Sequence, residues 1–238
     1  MREEGVLQAL IHLLYPVRRR CLLCHHPFVR EEEVVCSPCT AQVRAGRPPF
    51  CRLCGREWTG EGVCADCGRR TATFFQRAVS FGPYERGLRR ALLQLKNERR
   101  RELLPWLVER LVLAYAEHLL DRGVDLLVPV PMAAEKLQRR GFNQAEALAQ
   151  GLSARVRVPV CLALDWRGSG RSQAAKTRAA RLQGVEASLA LSEAAGDVNG
   201  ATVCLIDDVY TTGATANACA KKLIAAGAHT VYVLTLAR

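Results

Sequence analysis

Beyond Thr73 the chain alternates between short continuous apolar runs and segments whose apolar residues recur at helical spacing. Continuous runs are typical of parallel strands, which are covered on both faces, and they predict strands at 78–81, 125–131, 158–164, 201–206 and 229–236. Helical spacing predicts helices at 88–95, 103–120, 143–155 and 213–226. Because strands alternate with helices, the expected fold class is α/β, with a parallel sheet flanked by helices.

Residues 165–181 do not fit this alternation. They combine glycine and serine with five basic residues and have almost no apolar periodicity. Such a composition predicts a mobile loop. Its cations Lys176, Arg178 and Arg181 are expected either to close over bound phosphates and exclude water, or to form a basic surface element.

Cysteine dominates the first 67 residues, where eight of the 11 cysteines of the chain form four CxxC pairs. Two thiolates three positions apart can bind one cation in a tight knuckle, and two knuckles complete a tetrahedral site for Zn²⁺. The pattern therefore predicts two zinc sites, which are expected to be structural because no ligand position is left open. The pairs are Cys21 and Cys24, Cys36 and Cys39, Cys51 and Cys54, and Cys64 and Cys67.

Two other interpretations of the cysteine pairs are weaker. A disulfide framework would be expected in an exported protein, and a redox CxxC motif would not need four copies. Sequential pairing, which joins the first two pairs in one site and the last two in the other, closes the shortest loops, but a cross-braced pairing stays open. The expected organisation is an N-terminal helix at 1–20, a double zinc ribbon at 21–70 and an α/β domain at 73–238.

Composition places the chain among ordinary soluble globular proteins. Of its 238 residues, 49% are hydrophobic and 24% are charged, and no apolar stretch approaches the roughly 18 residues of a membrane span. Acidic Glu3 and Glu4 stand where a secretory signal would be basic, so we expect a cytoplasmic protein. The net charge of +11 favours nucleic acid, anionic lipid headgroups or phosphorylated small molecules without choosing among them.

The most informative stretch is 203–215, in which a predicted buried strand ends in two carboxylates and leads into a Thr/Gly loop that opens a helix. Ligands of open α/β sheets bind at the carboxyl ends of the strands. A helix N-terminus at that place offers unpaired N–H groups and the positive end of its dipole to a phosphate. The stretch therefore predicts a binding site for a phosphorylated ligand.

Each residue type in this stretch suits one part of a ribose phosphate. Asp207 and Asp208 would repel a phosphate but can accept hydrogen bonds from the 2′ and 3′ hydroxyls of a ribose. Gly213 lets the backbone approach phosphate oxygens closely, and hydroxyl donors are supplied by Thr211, Thr212 and Thr215. The competing interpretation is that the aspartates cap a helix and the threonines are surface turn residues. The sequence contains neither a GxxxxGKS/T run nor a GxGxxG run after a strand, the motifs of other phosphate loops.

The strand, Asp207-Asp208 and the loop Thr211-Thr212-Gly213-Ala214-Thr215 together resemble the phosphoribosyl pyrophosphate (PRPP) motif of type I phosphoribosyltransferases. Over nearly its whole length the chain resembles the ComF family of competence-related proteins. It departs from the family pattern at Gly184, where asparagine is commoner, and at Leu189, where phenylalanine is commoner. The wider resemblance is carried by the cysteine pairs, Gly82-Pro83-Tyr84, Leu95-Lys96, Val128-Pro129-Val130-Pro131, Arg139-Arg140-Gly141-Phe142-Asn143-Gln144 and the basic loop with Gln173.

The resemblance implies a type I phosphoribosyltransferase fold, a parallel sheet flanked by helices, behind an N-terminal double zinc ribbon. It also implies two structural zinc sites, and Mg²⁺ that accompanies PRPP. A pyrophosphate loop would lie after Val130 and contain Pro131, Met132 and Ala133, with Arg139 and Arg140 beside it. Taken alone, either of these arginines is as readily explained as a solvated helix end.

Three functions stay open on the sequence. The resemblance favours a cytosolic factor in DNA uptake or natural transformation that handles single-stranded DNA beside a helicase-like partner and the inner face of the membrane. The alternative is an active phosphoribosyltransferase, in which Mg²⁺ and the loops hold the departing pyrophosphate and no residue identifies the acceptor. A merged function would bind a sugar phosphate or a DNA end in one pocket and couple this binding to a partner.

Overall fold

A computed structural model describes residues 19–28, 33–168 and 186–238 of the chain. Only the last two residues of the helix predicted at 1–20 are described, and they form strand β1 (Arg19–Arg20) instead of a helix. These two residues form a strand because they pair antiparallel with β2 (Pro27–Phe28), and the two strands enclose the first cysteine knuckle. The predicted basic-loop residues Lys176, Arg178 and Arg181 lie outside the described residues.

The two cysteine-rich segments share one local plan. Each contains a knuckle turn at its first CxxC pair and a short helix that begins directly after the first cysteine of its second pair. These helices are α1 (Ser37–Ala41) and α2 (Ala65–Gly68). The hairpin of the first segment is the β1–β2 pair, and a single antiparallel bridge between Phe50 and Glu57 takes its place in the second.

A parallel sheet of four strands forms the centre of the remaining chain. In order across the sheet, the strands are β3 (Arg77–Gly82), β8 (Thr230–Ala237), β7 (Thr202–Val209) and β4 (Leu126–Pro129). All neighbouring pairs are parallel, so the carboxyl ends of the four strands share one edge of the sheet. The strands predicted at 78–81, 125–131, 201–206 and 229–236 correspond to these four.

Helices connect the strands, and no helix within the described ranges is long and apolar enough to cross a membrane. Short 3₁₀ turns lie at Arg101–Leu103, Leu120–Arg122 and Glu193–Val198. The α-helices are α3 (Arg86–Asn97), α4 (Leu104–His118), α5 (Ala134–Arg140), α6 (Gln144–Val156) and α7 (Ala214–Ala225).

The sheet is covered on both faces, and β7 shows how its sequence achieves this. Side chains alternate across a strand, so Cys204 and Ile206 pack with the buried leucines of α3, α4 and α6. Val203 and Leu205 pack on the opposite face with α7. This arrangement explains the continuous apolar run and confirms the predicted fold class: a parallel sheet flanked by helices behind an N-terminal double zinc ribbon.

The segment before the undescribed loop differs from its prediction. The strand predicted at 158–164 is reduced to a single parallel bridge between Leu127 and Val160. Residues 164–166, which the sequence placed partly in a loop, form β5 (Leu164–Trp166), paired antiparallel with β6 (Leu189–Leu191). The prediction was wrong here because three residues are too few to show a period, and a partner 25 positions away in the register defines the strand.

Candidate functional site

The eight paired cysteines form two clusters with the sequential pairing that loop length favoured. Cys21, Cys24, Cys36 and Cys39 make one cluster and Cys51, Cys54, Cys64 and Cys67 the other, with all ligand atoms of a cluster within 4.8 Å of one another. Sulfur atoms at the corners of a tetrahedral zinc site lie about 3.8 Å apart, given a Zn–S distance near 2.3 Å. The Sγ atoms of Cys24 and Cys36, and those of Cys54 and Cys64, lie 3.7 Å apart.

This spacing separates zinc from disulfides, whose sulfurs would be about 2.05 Å apart. Backbone N–H groups also donate to the first sulfur of each cluster, with Cys36 N 3.3 Å from Cys21 Sγ and Cys64 N 3.2 Å from Cys51 Sγ. Burial opposes ionisation of Cys51, yet these backbone donors lower the pKa of its thiol to about 6. Both clusters therefore fit structural zinc by their geometry. Burial raises the pKa of Cys39 and of Cys67, so a bound cation would be needed to keep all four sulfurs ionised.

The acidic pair lies at the carboxyl end of β7. Lys96, in the last turn of α3, forms an ion pair with Asp208. Asp208 N donates to Asp207 Oδ1 at 2.8 Å. Burial, reinforced by the charge of Asp208, raises the pKa of Asp207 to about 8. A cation or a hydroxyl donor bound at this place would therefore stabilise the ionised form of Asp207.

The Thr/Gly loop joins the acidic pair to α7. Gly213 has φ +74°, and a Cβ atom at this position would lie 2.1 Å from the Tyr210 hydroxyl. Only glycine fits this turn without strain. The loop encloses a cradle of about 30 Å³, whose lining includes Asp207, Thr211, Gly213, Ala214 and Thr215.

Thr212 does not line this cradle in the described structure. Its hydroxyl accepts a long hydrogen bond of 3.4 Å from Ala214 N, a local turn contact two residues along the chain. Of the three threonines predicted to donate to a phosphate, the structure brings Thr211 and Thr215 to the cradle and leaves Thr212 exposed.

A cavity of about 220 Å³ opens beside the cradle, between the carboxyl ends of β4 and β7. It brings together groups that are remote in sequence: the acidic pair, Thr215 and the predicted pyrophosphate loop at 131–133. Arg140 also lines it, held by a 2.9 Å hydrogen bond from Nη1 to Gln144 Oε1. Arg139 does not line it and is exposed, with its carbonyl accepting a hydrogen bond from Arg99.

Asn143, three positions after Arg140, fixes the loop at 131–133. Its Nδ2 donates to the Val130 carbonyl at 3.0 Å, and its Oδ1 accepts from Ala145 N at 3.1 Å. One side chain thus caps α6 and holds the end of β4. The loop at 131–133 is thereby tied to the helix that follows it.

Sequence reasoning gave no role to three groups that the structure places at the site: Lys96, Lys136 and Trp166. Lys96 belongs to a family motif, and no local pattern in the sequence indicates that Asp208 is its partner. Trp166 lies in a short strand without a periodic signal, and its indole Nε1 is buried without a hydrogen-bond partner among the described residues.

Arg70, three residues after the last zinc-ligand cysteine, links the second ribbon to the Thr/Gly loop. Its Nη2 donates to the Thr212 carbonyl at 2.7 Å and lies 2.9 Å from the Tyr210 hydroxyl. Its guanidinium also lies 5.9 Å from the ring centre of Phe75, which is buried in the core. The second ribbon is therefore linked directly to the Thr/Gly loop.

A neighbouring contact strengthens this link. Phe74 N donates to Asn217 Oδ1 at 2.9 Å, in the first turn of α7. The segment after the second ribbon thus touches both the loop and the helix that the loop opens. A charged hydrogen bond of the Arg70 type contributes about 1.5–3 kcal/mol, enough to bias the conformation of a short loop.

Known proteins are similar to parts of this chain. The model of the double zinc ribbon domain matches residues 10–68, which contain both cysteine clusters. Among solved structures, a purine phosphoribosyltransferase from Pyrococcus horikoshii Ot3 is similar at 18% identity and a TM-score of 0.37, over 55% of this chain and 71% of that one.

Two curated relatives align over almost the whole chain. Competence protein ComFC of Bacillus subtilis (strain 168) is 28% identical over 240 residues, covering 92% of this chain and 94% of the relative. DNA utilization protein YhgH of Shigella flexneri is 30% identical over 227 residues, covering 92% of this chain and 96% of the relative. This degree of identity over both full lengths, together with the two cysteine clusters, shows that the chain belongs to the ComF family.

Proposed function

We propose that this protein binds PRPP or a related ribose phosphate, accompanied by Mg²⁺, and acts in DNA uptake as a cytosolic factor that handles single-stranded DNA. The observation that carries the first part is the single 220 Å³ cavity into which Asp207, Asp208, Thr215 and the 131–133 turn all face. These groups come from two neighbouring parallel strands, at the edge of the sheet where α/β proteins bind ligands.

Each part of the ligand has a complementary group. The 5′-phosphate would occupy the cradle of the 211–215 loop, at the N-terminus of α7, where N–H groups and the helix dipole favour an anion. The ribose hydroxyls would donate to Asp207 and Asp208. The pyrophosphate would lie along the 131–133 turn, beside the cations of Lys136 and Arg140.

Mg²⁺ fits the charge distribution of this pocket. Carboxylate oxygens are the hard ligands that Mg²⁺ prefers, and the ion is usually held by one or two carboxylates together with substrate phosphates. The raised pKa of Asp207 indicates that its negative charge is poorly compensated in the free protein. A Mg²⁺ ion that arrives with the pyrophosphate would supply the missing positive charge to Asp207 and Asp208.

The DNA-handling part of the proposal rests on the relatives and on charge. One relative is a competence protein and another a DNA utilization protein. The net charge of +11 attracts nucleic acid through its phosphates. Reduced cysteines at two zinc sites suit the cytosol, where thiols stay reduced. A helicase-like competence partner and peripheral contact with the membrane belong to the same proposal.

A second candidate function is phosphoribosyl transfer to an unidentified acceptor. Trp166 favours it, because this half-buried aromatic residue lines the ribose pocket and presents a flat apolar surface beside it. A nucleophile would form a bond to the anomeric carbon as the bond to pyrophosphate breaks, and pyrophosphate would leave with the electron pair. Release of pyrophosphate from PRPP in the presence of candidate bases or amines tests this function.

Calorimetric titration of the zinc-loaded protein with PRPP and Mg²⁺ tests the main proposal. The Asp207→Asn/Asp208→Asn variant should lose saturable binding while keeping its zinc content and its circular dichroism spectrum. Asp125→Asn is the matched control, because Asp125 accepts a hydrogen bond from Thr202 N at the opposite end of β7. Absence of binding by the wild-type protein at millimolar PRPP would refute the ribose phosphate site.

A further inference from the structure

Three cavities lie in a line along the carboxyl edge of the sheet. The 220 Å³ ribose pocket and the 30 Å³ phosphate cradle share Asp207 and Thr215 as lining residues. The cradle in turn shares Val209, Tyr210 and Thr211 with a groove of about 400 Å³. A phosphate in the cradle would therefore have a sugar pocket on one side and a second, larger space on the other.

The groove lies between the second zinc ribbon and the ends of β3, β7 and β8. Two half-buried aromatic residues, Phe50 and Tyr84, line it. Phe50 makes a T-shaped contact with His118, and Arg89 lies 6.0 Å from the ring centre of Tyr84. The volume of the groove lies within the range of roughly 300–1,000 Å³ that is typical of small-ligand sites. PRPP in the proposed orientation would end at its 5′-phosphate and would leave this space unused.

The groove is lined by two arginines, Arg56 and Arg238, and by one carboxylate, Glu57, which is paired with Arg44. Arg56 is exposed at the edge of the groove, paired with Asp66 at 2.8 Å. Arg238 donates from Nη1 to the Cys54 carbonyl at 3.0 Å and lies 4.7 Å from the ring centre of Tyr210. Its Nε is buried without a hydrogen-bond partner among the described residues. Aromatic rings beside cations are the combination that binds single-stranded nucleic acid.

We propose that the three cavities together bind the 3′ end of a single-stranded DNA. The terminal nucleotide would place its sugar at Asp207 and Asp208, with its 5′-phosphate in the cradle. The preceding nucleoside, joined through that same phosphate, would lie in the groove and stack on Tyr84. This inference rests on the proposed function of the phosphate loop and extends it from a free sugar phosphate to a strand end.

The polarity follows from the chemistry of the sugar. A deoxyribose has no 2′ hydroxyl, so its 3′ hydroxyl is the donor that can reach the two carboxylates. Inside a strand this oxygen carries a phosphate, which the carboxylates would repel. A strand terminus with a free 3′ hydroxyl therefore fits the pocket, and an internal nucleotide does not.

Competition on the wild-type protein tests this polarity without any substitution. A short oligothymidylate labelled at its 5′ end is bound to the zinc-loaded protein and followed by fluorescence anisotropy. PRPP with Mg²⁺ should displace it. An unlabelled oligomer with a free 3′ hydroxyl should compete about tenfold better than the same oligomer with a 3′-phosphate. A tenfold difference in affinity corresponds to about 1.4 kcal/mol of binding free energy. Equal competition by the two oligomers would overturn the inference.

A variant of the groove tests whether the preceding nucleoside binds there. Tyr84→Ala should weaken oligothymidylate binding about fivefold or more, the usual effect of losing one stacked base, and leave PRPP affinity unchanged. Unchanged PRPP affinity also shows that the variant is folded. Leu120→Ala, at a side chain with 63% exposure that does not line the groove, is the control.

The outcomes separate this inference from the function on which it rests. If wild-type protein fails to bind PRPP, the ribose phosphate site itself is refuted. If PRPP binds but does not displace the oligomer, or if Tyr84→Ala binds the oligomer normally, the strand path is refuted and the ribose phosphate site stands.

Discussion

The two zinc ribbons have the same ligands and the same local plan, but they contact different parts of the molecule. The first packs on the N-terminal end of α3, where a Cβ atom at Gly87 would lie 2.7 Å from Val43 and 3.2 Å from the Cys39 carbonyl. One of its cysteines, Cys24, is exposed. All four cysteines of the second ribbon are buried.

The second ribbon contacts the sheet at the start of β3 and just beyond the end of β8. Ala78 N, in β3, donates to the Leu53 carbonyl at 2.7 Å, and Arg238 reaches the Cys54 carbonyl. Arg70 then connects this ribbon to the Thr/Gly loop. Two zinc sites with identical ligands therefore need not have identical roles. We expect zinc in the first ribbon to support the fold, and zinc in the second also to position the phosphate loop.

Removal of one zinc ion at a time should show most clearly that the two ribbons have different roles. In Cys51→Ser/Cys54→Ser, loss of the second zinc should release the segment that holds the loop and lower PRPP affinity by about 100-fold, equivalent to about 2.8 kcal/mol. In Cys21→Ser/Cys24→Ser, the thermal midpoint should fall while PRPP affinity in the folded fraction changes little. Calorimetry together with zinc content measures both. Equal losses of affinity would remove the distinction between the ribbons.

Two glycine substitutions test the same difference, one at the Thr/Gly loop and one where the first ribbon packs on α3. Gly213→Ala forces a side chain into a left-handed conformation at a cost of about 1–2 kcal/mol, and it pushes against Tyr210 and Arg70. It should lower both the stability and the PRPP affinity. Gly87→Ala crowds the first ribbon and should lower only the stability. Denaturant unfolding and calorimetry distinguish the two, and normal PRPP binding by Gly213→Ala would contradict a loop held by the second ribbon.

Arg70→Ala tests the link itself with the zinc sites intact. Loss of the hydrogen bond to the Thr212 carbonyl should weaken PRPP binding about tenfold, equivalent to 1.4 kcal/mol, without loss of zinc. Arg70→Lys should recover part of the affinity. Arg69→Ala, at the exposed neighbouring position, is the control. If Arg70→Ala and Arg69→Ala bind PRPP equally well, the contact has no role in binding.

The smallest expected effect concerns pH and the acidic pair. Burial and the charge of Asp208 raise the pKa of Asp207, so the folded protein favours the protonated carboxyl. The stability that this group contributes is present below the ordinary aspartate pKa near 3.9 and is lost as the pH rises through about 8. The ligand-free protein should therefore lose up to about 1.4 kcal/mol per pH unit relative to Asp207→Asn.

Urea unfolding of both proteins from pH 6 to 9, with zinc content checked at each pH, measures this difference. Because the carboxyl pair lies at neither ribbon, zinc content should be the same in the two proteins at every pH. A stability difference that does not vary with pH would show that Asp207 is not the group concerned.

The sequence predicted the parts of the molecule whose physics is local. CxxC spacing defines a zinc knuckle within four residues, and the run from Val203 to Asp208 contains both the buried strand and its acidic end. Sequential pairing of the cysteines also followed from loop length, and the structure confirms it.

Contacts between distant segments could not be predicted in this way. Arg70 and Thr212 are separated by 142 positions, and neither residue has a local pattern that indicates the other. The Lys96–Asp208 ion pair and the placement of Trp166 depend likewise on how the helices and β5 pack against the sheet. For the same reason Arg139 and Arg140, adjacent in sequence, differ in position, because only Arg140 lies on the side of α5 that lines the cavity.

A crystal structure of the zinc-loaded protein with PRPP and Mg²⁺ would locate the ligand directly. We expect the 5′-phosphate in the 211–215 loop, the ribose hydroxyls at Asp207 and Asp208, and the pyrophosphate beside the 131–133 turn and Arg140. PRPP bound elsewhere on the molecule, or no bound PRPP at a millimolar concentration, would contradict the proposed ribose phosphate site.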